Sequence, residues 1–595
     1  RGTLLVAHVI VVALLGPLRA AAANTFETRL TNGLKVVVRE DHRAPTVVHM
    51  VWYRTGAMDE VDGTSGVAHV LEHMMFKQTR KLKVGEFNKR VADAGGRDNA
   101  FTSLDYTAYF QQIPREALAS MMALEADRMA NLVISEEEFG KELKVVMEER
   151  RLRTEDQPRS LVYEKLMATA FQAHPYRRPI IGWMGDLEQM RATDARRWYR
   201  DWYSPNNATL VVVGDVDHQE VFRLARRHYG GIATRPLPVR KISPEPEQLG
   251  TKSIEVEAAA KLPYLAMAWK VPKLTDIARD REGYALEILA GILDGHDAAR
   301  LARNLVRTRK LAVSVGAGYD ATLRGEALFM LDGTPAENQS VDTLKAALRD
   351  ELDRIRDEGI SPQELARVKT QVLAAEIYKR DSLFAQAMEI GRMEVIGFSW
   401  RDADRLLEGL QRVTAEDVQS VVRKYFNDKN LTVAVLVPRS AANGSGAAPA
   451  IPATTHPESH VDARLAFVLW MFLVFVPMCA RAGVTIQNWT NARGSAVYFV
   501  EIRGLPIVDL RVDFPAGSAY DPPGKAGLAA LTWRLIDTGA GRLDEERIAE
   551  AWGDLAVRIQ PPVGEYPQEV AVDPDWSGLL DIKAPEMPSV LATPN

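Results

Sequence analysis

The chain has 595 residues, 46% of them apolar and 26% charged, with a formal net charge of −5. That is more chain than one hydrophobic core organises, so several domains are expected, and so small a charge over this length gives no electrostatic basis for nucleic-acid binding. The single cysteine, Cys479, excludes disulfides within the chain and cysteine-rich zinc sites, which leaves any zinc to histidine and carboxylate ligands.

Residues 4–18 form an apolar run, followed by Ala20 to Ala23. This is the pattern of a secretory signal over residues 1–23, cleaved before Asn24. A membrane anchor is the competing reading, but a run of about 15 residues falls short of the roughly 20 that span a bilayer, which favours the cleaved signal. A secreted chain without disulfides fits a bacterial periplasm.

Residues 24–235 read as a first domain. Strands are expected at 35–39, 47–53 and 210–213, and helices at 66–79 and 116–132. Residues 236–250 are proline-rich and read as a linker. Residues 251–438 read as a second domain of the same style. In it Ser361-Pro362 opens a helix through about Tyr378, and Thr414 with Asp417 resembles a capping box. The segment WYSPNNATLVVV (202–213) lines up with YFNDKNLTVAVL (425–436) at a constant offset of 223, placing Tyr203 on Phe426, Asn207 on Asn430 and Thr209 on Thr432. This points to an internal duplication.

Residues 439–463 have a flexible-linker composition. The apolar segment 464–483 then ends in Ala480-Arg481-Ala482 and resembles a second signal. It reads either as a membrane helix, with contact through residues 465–480, or as the mark of two joined reading frames. Residues 506–540 repeat residues 45–79 at an offset of 461, with Pro45 on Pro506, Gly56 on Gly517 and Gly66 on Gly527. The chemistry does not repeat, because His69, Glu72 and His73 fall on Ala530, Trp533 and Arg534. Residues 484–560 therefore read as a partial, metal-free copy of the first domain, and residues 561–595 as a disordered tail.

The chemistry concentrates in SGVAHVLEHMMFKQT (65–79). On a helix, His69 and His73 lie about 40° apart on one face, one turn from each other, so both imidazoles can reach one zinc ion. Glu72 lies beside them, placed to take a proton from a water that the metal activates. The bland alternative is a helix with two incidental histidines. Against it, Val67, Val70, Leu71 and Met74 show that the helix packs inside, where unpartnered polar groups are costly. A third ligand is sought in ELKVVMEERR (142–151). There Glu142 and Glu149 share a helix face, and Glu148 points about 100° away, as on a solvated face. Spacing alone leaves open whether Glu149 is the ligand.

The motif, with Glu149 placed 76 residues past His73, resembles the pitrilysin, insulin-degrading and mitochondrial-processing-peptidase family of inverted zincins. RDNAFTSLDYTAYF (97–110), HPYRRPIIG (174–182) and YSPNNATLVVVGDVD (203–217) extend the resemblance. It implies an α+β fold of two similar α/β halves, each a mainly antiparallel sheet flanked by helices, here followed by a partial third copy. It implies a zinc endopeptidase acting on peptides or unfolded polypeptides, with one Zn2+ held by His69, His73 and Glu149. Glu72 would be the base, Glu142 would orient the site, and Asn99, Ala100, Phe101 and Thr102 would lie on an edge strand beside the substrate. His174 reads as structural. Members of the family also carry an Arg–Tyr pair that holds substrate and oxyanion. The corresponding stretch here, LVRTRKLAVSV (305–315), has Val306 and Val313 at those positions. In the short bacterial branch a metal-free partner subunit supplies the pair, so a heterodimer is implied. The alternatives are a non-catalytic assembly subunit of the same fold and a protease dedicated to one precursor.

Overall fold

Residues 46–53 are apolar at nearly every position rather than at alternate ones, the pattern of a strand buried on both faces. A computed structural model describes residues 24–241, 243–439, 486–501 and, with interruptions, 507–557, and sets this strand within a six-stranded sheet. From edge to edge the strands are Thr25–Arg29, Lys35–Glu40, Ala208–Gly214, Thr46–Tyr53, Thr107–Pro114 and Arg97–Thr102. Only the pairing of Lys35–Glu40 with Ala208–Gly214 is parallel. The second half repeats the plan with five strands: Ala312–Gly318, Ala327–Pro335, Tyr264–Val271, Leu431–Arg439 and Lys252–Ala259. Its one parallel pair joins the last two, the counterparts of Ala208–Gly214 and Lys35–Glu40. Ala208 and Leu431 open equivalent strands and stand at the offset of 223. The fold is thus α+β, with two similar halves.

Each sheet packs one face on helices of its own half and lends the other to a helix of the opposite half. Helix Leu383–Ile396 lays Phe384, Ala387, Met388 and Ile390 over Val37, Val48, Met50 and Trp52 of the first sheet. Helix Pro158–Ala170 lays Val162 and Leu166 over Val256, Tyr264 and Ala434 of the second. Gly391 crosses Trp52 so closely that a Cβ there would fall 2.0 Å from the indole ring. A buried ion pair, Arg324 to Asp59 at 2.9 Å, also joins the halves.

One local expectation needs correction. The helix expected over 66–79 runs only from Val67 to Met74, and Gln78–Thr79 pairs instead as a short strand with Leu132–Val133. The tertiary ladder claims backbone groups that local propensity would have kept helical. Among the described residues of the linker 236–250 no helix or strand occurs, and the stretch is anchored to both halves. Glu245 accepts the N–H groups of Gln172, Ala173 and His174 and pairs with Lys270, and Arg240 pairs with Asp59. Ser361 and Thr414 each cap their helices in reciprocal boxes with Glu364 and Asp417.

The segments 1–23, 440–463, 464–483 and 561–595 lie outside the described residues, while Arg439 ends a strand. Among the described residues no helix is long and apolar enough to cross a membrane. Strands Ile486–Thr490 and Ala496–Val500 form an antiparallel hairpin in a separate unit, Ala441–Arg511. Helices Leu528–Arg534 and Glu545–Leu555 belong to the main unit.

Candidate metal centre

The helix Val67–Met74 follows Gly66, which sits in the left-handed region at φ 88°. A Cβ on Gly66 would meet the Ile181 carbonyl oxygen at 2.5 Å, so glycine is required twice over, for its φ and for the close approach. No side chain of the cap residue satisfies the first N–H groups. The Glu60 carboxylate does so from a distance, accepting from Gly66 N and Ala68 N, both at 2.9 Å. The helix then buries Val67, Ala68, Val70, Leu71 and Met74 in the core. His69, Glu72 and His73 remain on the face turned toward helix Glu136–Arg150.

That second helix starts at Ser135, whose hydroxyl accepts from Glu138 N, and carries Glu136, Glu137 and Glu138 in its first turn, where the helix dipole favours anions. Phe139 and Val146 anchor it in the core. Glu142 and Glu149 then reach the histidines. Glu149 Oε2 lies 3.4 Å from His73 Nε2 and 3.9 Å from His69 Nε2. Ligand atoms of His69, His73 and Glu149 all fall within 4.8 Å of one another. Glu142 Oε2 stands 3.3 Å from His73 Nδ1, and its other oxygen pairs with Lys77 at 2.5 Å.

The donor set fits a zinc ion: two imidazoles, one carboxylate, and a spacing among the three that a single cation can fill. Burial pushes His69 down to about 4, which keeps its imidazole neutral, the form that ligates a metal. Burial opposes ionisation of Glu149, but His73 and His69 outweigh it and bring the carboxyl to about 2. His69 Nδ1 is buried without a hydrogen-bond partner, and its Nε2 faces Glu149. Burial pushes Glu72 up to about 7, against the hydrogen bond that Thr102 Oγ1 donates to Glu72 Oε2 at 2.5 Å.

The strand Arg97–Thr102 is the open edge of its sheet, so Asn99, Ala100, Phe101 and Thr102 stand on the edge, and Thr102 brings that edge to Glu72. His174 is not part of the cluster. It is 2% exposed and its Nδ1 caps Tyr176 N. Glu148 pairs with Arg151 on the exposed face. Val306 is partly buried in the helical segment Ala302–Thr308, and Val313 is 57% exposed on the edge strand of the second sheet. A second group of possible donors, Glu40, Asp217 and His218, is accounted for as the cap of helix His218–Tyr229.

Residues 35–183 match the family described as Insulinase (Peptidase family M16), and residues 189–372 match the Peptidase M16 inactive domain. The zinc protease PqqE of Helicobacter pylori is 32% identical over 422 residues, which make up 69% of this chain and 92% of that protein. The chain belongs to the M16 peptidase family. Among solved structures, a protease from Helicobacter pylori superposes with a TM-score of 0.66 at 30% identity, covering 70% of this chain and 99% of that one. The periplasmic protease PqqL of Escherichia coli shares the fold at 18% identity and a TM-score of 0.60, covering 89% of this chain and 61% of that one. The division between the two M16 descriptions follows the chemistry. The half with the histidine pair matches the first, and among the described residues no comparable donor group lies in the second half.

Four contacts at this site escape a reading of the sequence: Thr102 on Glu72, Lys77 on Glu142, Arg153 on Glu149 at 2.9 Å, and Glu60 on the helix start. Arg153 stands four residues after Glu149, a spacing that could have flagged it. Glu60 had a signal too, since Asp521 stands 461 positions later and accepts from Gly527 N and Ala529 N in the same way.

Proposed function

We propose that this chain is a zinc-dependent endopeptidase that hydrolyses peptides or unfolded polypeptides and needs a metal-free homologous subunit for full activity. The observation that carries the reading is the convergence of His69, His73 and Glu149 beside Glu72. His69 Nε2, His73 Nε2 and Glu149 Oε2 would hold the ion. When bound, zinc would supply Lewis-acid activation of water at neutral pH.

The chain's own residues do the rest. Glu142 faces His73 Nδ1, which fixes the tautomer with its proton there and leaves the Nε2 lone pair for the donor set. Thr102 occupies Glu72 Oε2, and the other oxygen is assigned to take the water proton and return it to the leaving amine. The open edge Arg97–Thr102 can receive an extended peptide as an added strand, which favours flexible chains over folded ones. Val306 and Val313 cannot donate to a developing oxyanion, so those donors must come from a second subunit. The apolar run at residues 4–18 supports export to a periplasm.

Glu72→Gln protein tests the reading. One zinc should remain per chain, while peptide hydrolysis falls about 10²–10⁴-fold. A parent protein that binds no zinc would contradict it. Adding a complete metal-free partner to the parent should raise its activity, and full activity from the chain alone would remove the pairing.

A further inference from the structure

Ile486, Ala496, Leu528 and Gly539 each open an element 461 positions after Thr25, Lys35, Val67 and Gln78 open theirs. The helix Glu545–Leu555, opening 459 positions after Glu86, follows these elements and does not stand free. Helix C-termini leave carbonyl groups without intrahelical partners. Here Gly553 O accepts from Gln371 Nε2 at 2.6 Å, Ala556 O accepts from Tyr378 Oη at 3.1 Å, and Asp554 Oδ1 accepts from Arg367 Nε at 2.6 Å. Arg367, Gln371 and Tyr378 share one face of helix Pro362–Lys379. One helix face thus delivers three donors to one helix C-terminus, where donors and positive charge are favoured.

The approach is close. A Cβ on Gly553 would lie 3.1 Å from Arg367 Cδ and 3.4 Å from His296 Nδ1. Ile548 and Ala549 are buried in a segment that is otherwise largely exposed. Between this helix and the second half lies a cavity of about 1560 Å³, bordered by Ala549 and Trp552 on one side and Gly291 and Val372 on the other. The helices that frame it in the second half, Glu282–Asp294 and Pro362–Lys379, occupy the places in the repeated element order that Val67–Met74 and Glu136–Arg150 hold in the first. Where the first half gathers metal ligands, the second gathers a helix.

We propose that this face of Pro362–Lys379, beside Glu282–Asp294, is the docking surface for the metal-free copy, and that Glu545–Leu555 is the element of the copy that seats on it. The inference rests on reading residues 484–557 as the opening of such a copy. It deepens the partner requirement by naming where the partner is held.

The test uses the full chain with a specific protease site inserted between residues 441 and 463. After cleavage, the C-terminal fragment should co-elute with the main body on gel filtration. Arg367→Glu should release it, and adding Asp554→Arg to that variant should restore co-elution. A thermal melt of each variant reports folding. If Arg367→Glu does not fold, Gln371→Ala with Tyr378→Phe removes the other two donors and should release the fragment instead. Separation of the cleaved parent, retention by the folded variants, or failure of the charge swap to restore binding would overturn the proposal. Elution requires neither zinc nor hydrolysis, so loss of the peptidase reading would leave this result standing on its own.

Discussion

Thr102 reaches from the edge strand to Glu72 and fixes one oxygen of the proposed base. A hydrogen bond to a charged group contributes about 1.5–3 kcal/mol. Thr102→Val should therefore lower kcat about ten- to hundredfold with zinc content unchanged, and Thr102→Ser should recover most of it, as steady-state kinetics on one peptide would show. Glu142 is proposed to act on the metal side. Glu142→Gln should weaken zinc binding about 10–100-fold in a competition titration, because His73 loses the partner that orients its ring. The two histidines and Glu72 were legible in the sequence because a helix turns their spacing into a shared face. Thr102 was legible only as an edge residue. Its contact with Glu72 joins elements 30 positions apart, and no local period encodes which side chain crosses that gap. Lys77 escaped for a different reason: it lies beyond the end of helix Val67–Met74, on a stretch expected to remain helical.

At the scale of elements, the helix Val67–Met74 is pinned by a backbone crossing. Gly66 and Gly182 both have positive φ, and a Cβ on Gly182 would meet the Ser65 carbonyl oxygen at 2.3 Å. Gly182→Ala should destabilise the protein by about 2 kcal/mol or more, read from a denaturant midpoint, because it adds left-handed strain to overpacking. The proline-rich strap makes a prediction with a pH sign. Burial alone would raise the Glu245 carboxyl, but Lys270 and the N–H groups of Gln172, His174 and Ala173 outweigh it and hold it at about 2, below its ordinary 4.5. Its stabilising contribution is therefore full above pH 4.5 and is lost as pH falls toward 2. Glu245→Gln should melt at a lower temperature than the parent at neutral pH, and the two melting curves should converge near pH 2. Composition marks this stretch as a linker. It could not reveal the anchoring, because the partners of Glu245 come from the loop at 172–174 and from the second half.

For the whole molecule, the exchange of helices makes the two halves interdependent. The duplication was legible from the offset of 223, and the repeated sheet order carries it into three dimensions. The exchange was not, because an apolar helix announces that it is buried without saying against which sheet. Residues 24–235 made alone should be insoluble, since Val37, Val48, Met50 and Trp52 would lose the cover of Leu383–Ile396 and present a large apolar face. Expression of that half with and without residues 251–439 in trans would check this by recovery in the soluble fraction.

The central claim is that two imidazoles one helical turn apart and one carboxylate from a second helix share a single divalent ion. X-ray absorption at the zinc edge on the purified chain tests it most directly. The account predicts one zinc per chain, with two imidazole nitrogens and otherwise oxygen donors in its first coordination sphere, and loss of that signature in His69→Ala and Glu149→Ala. A chain that holds no zinc, or one whose spectrum is unchanged by both substitutions, would contradict it.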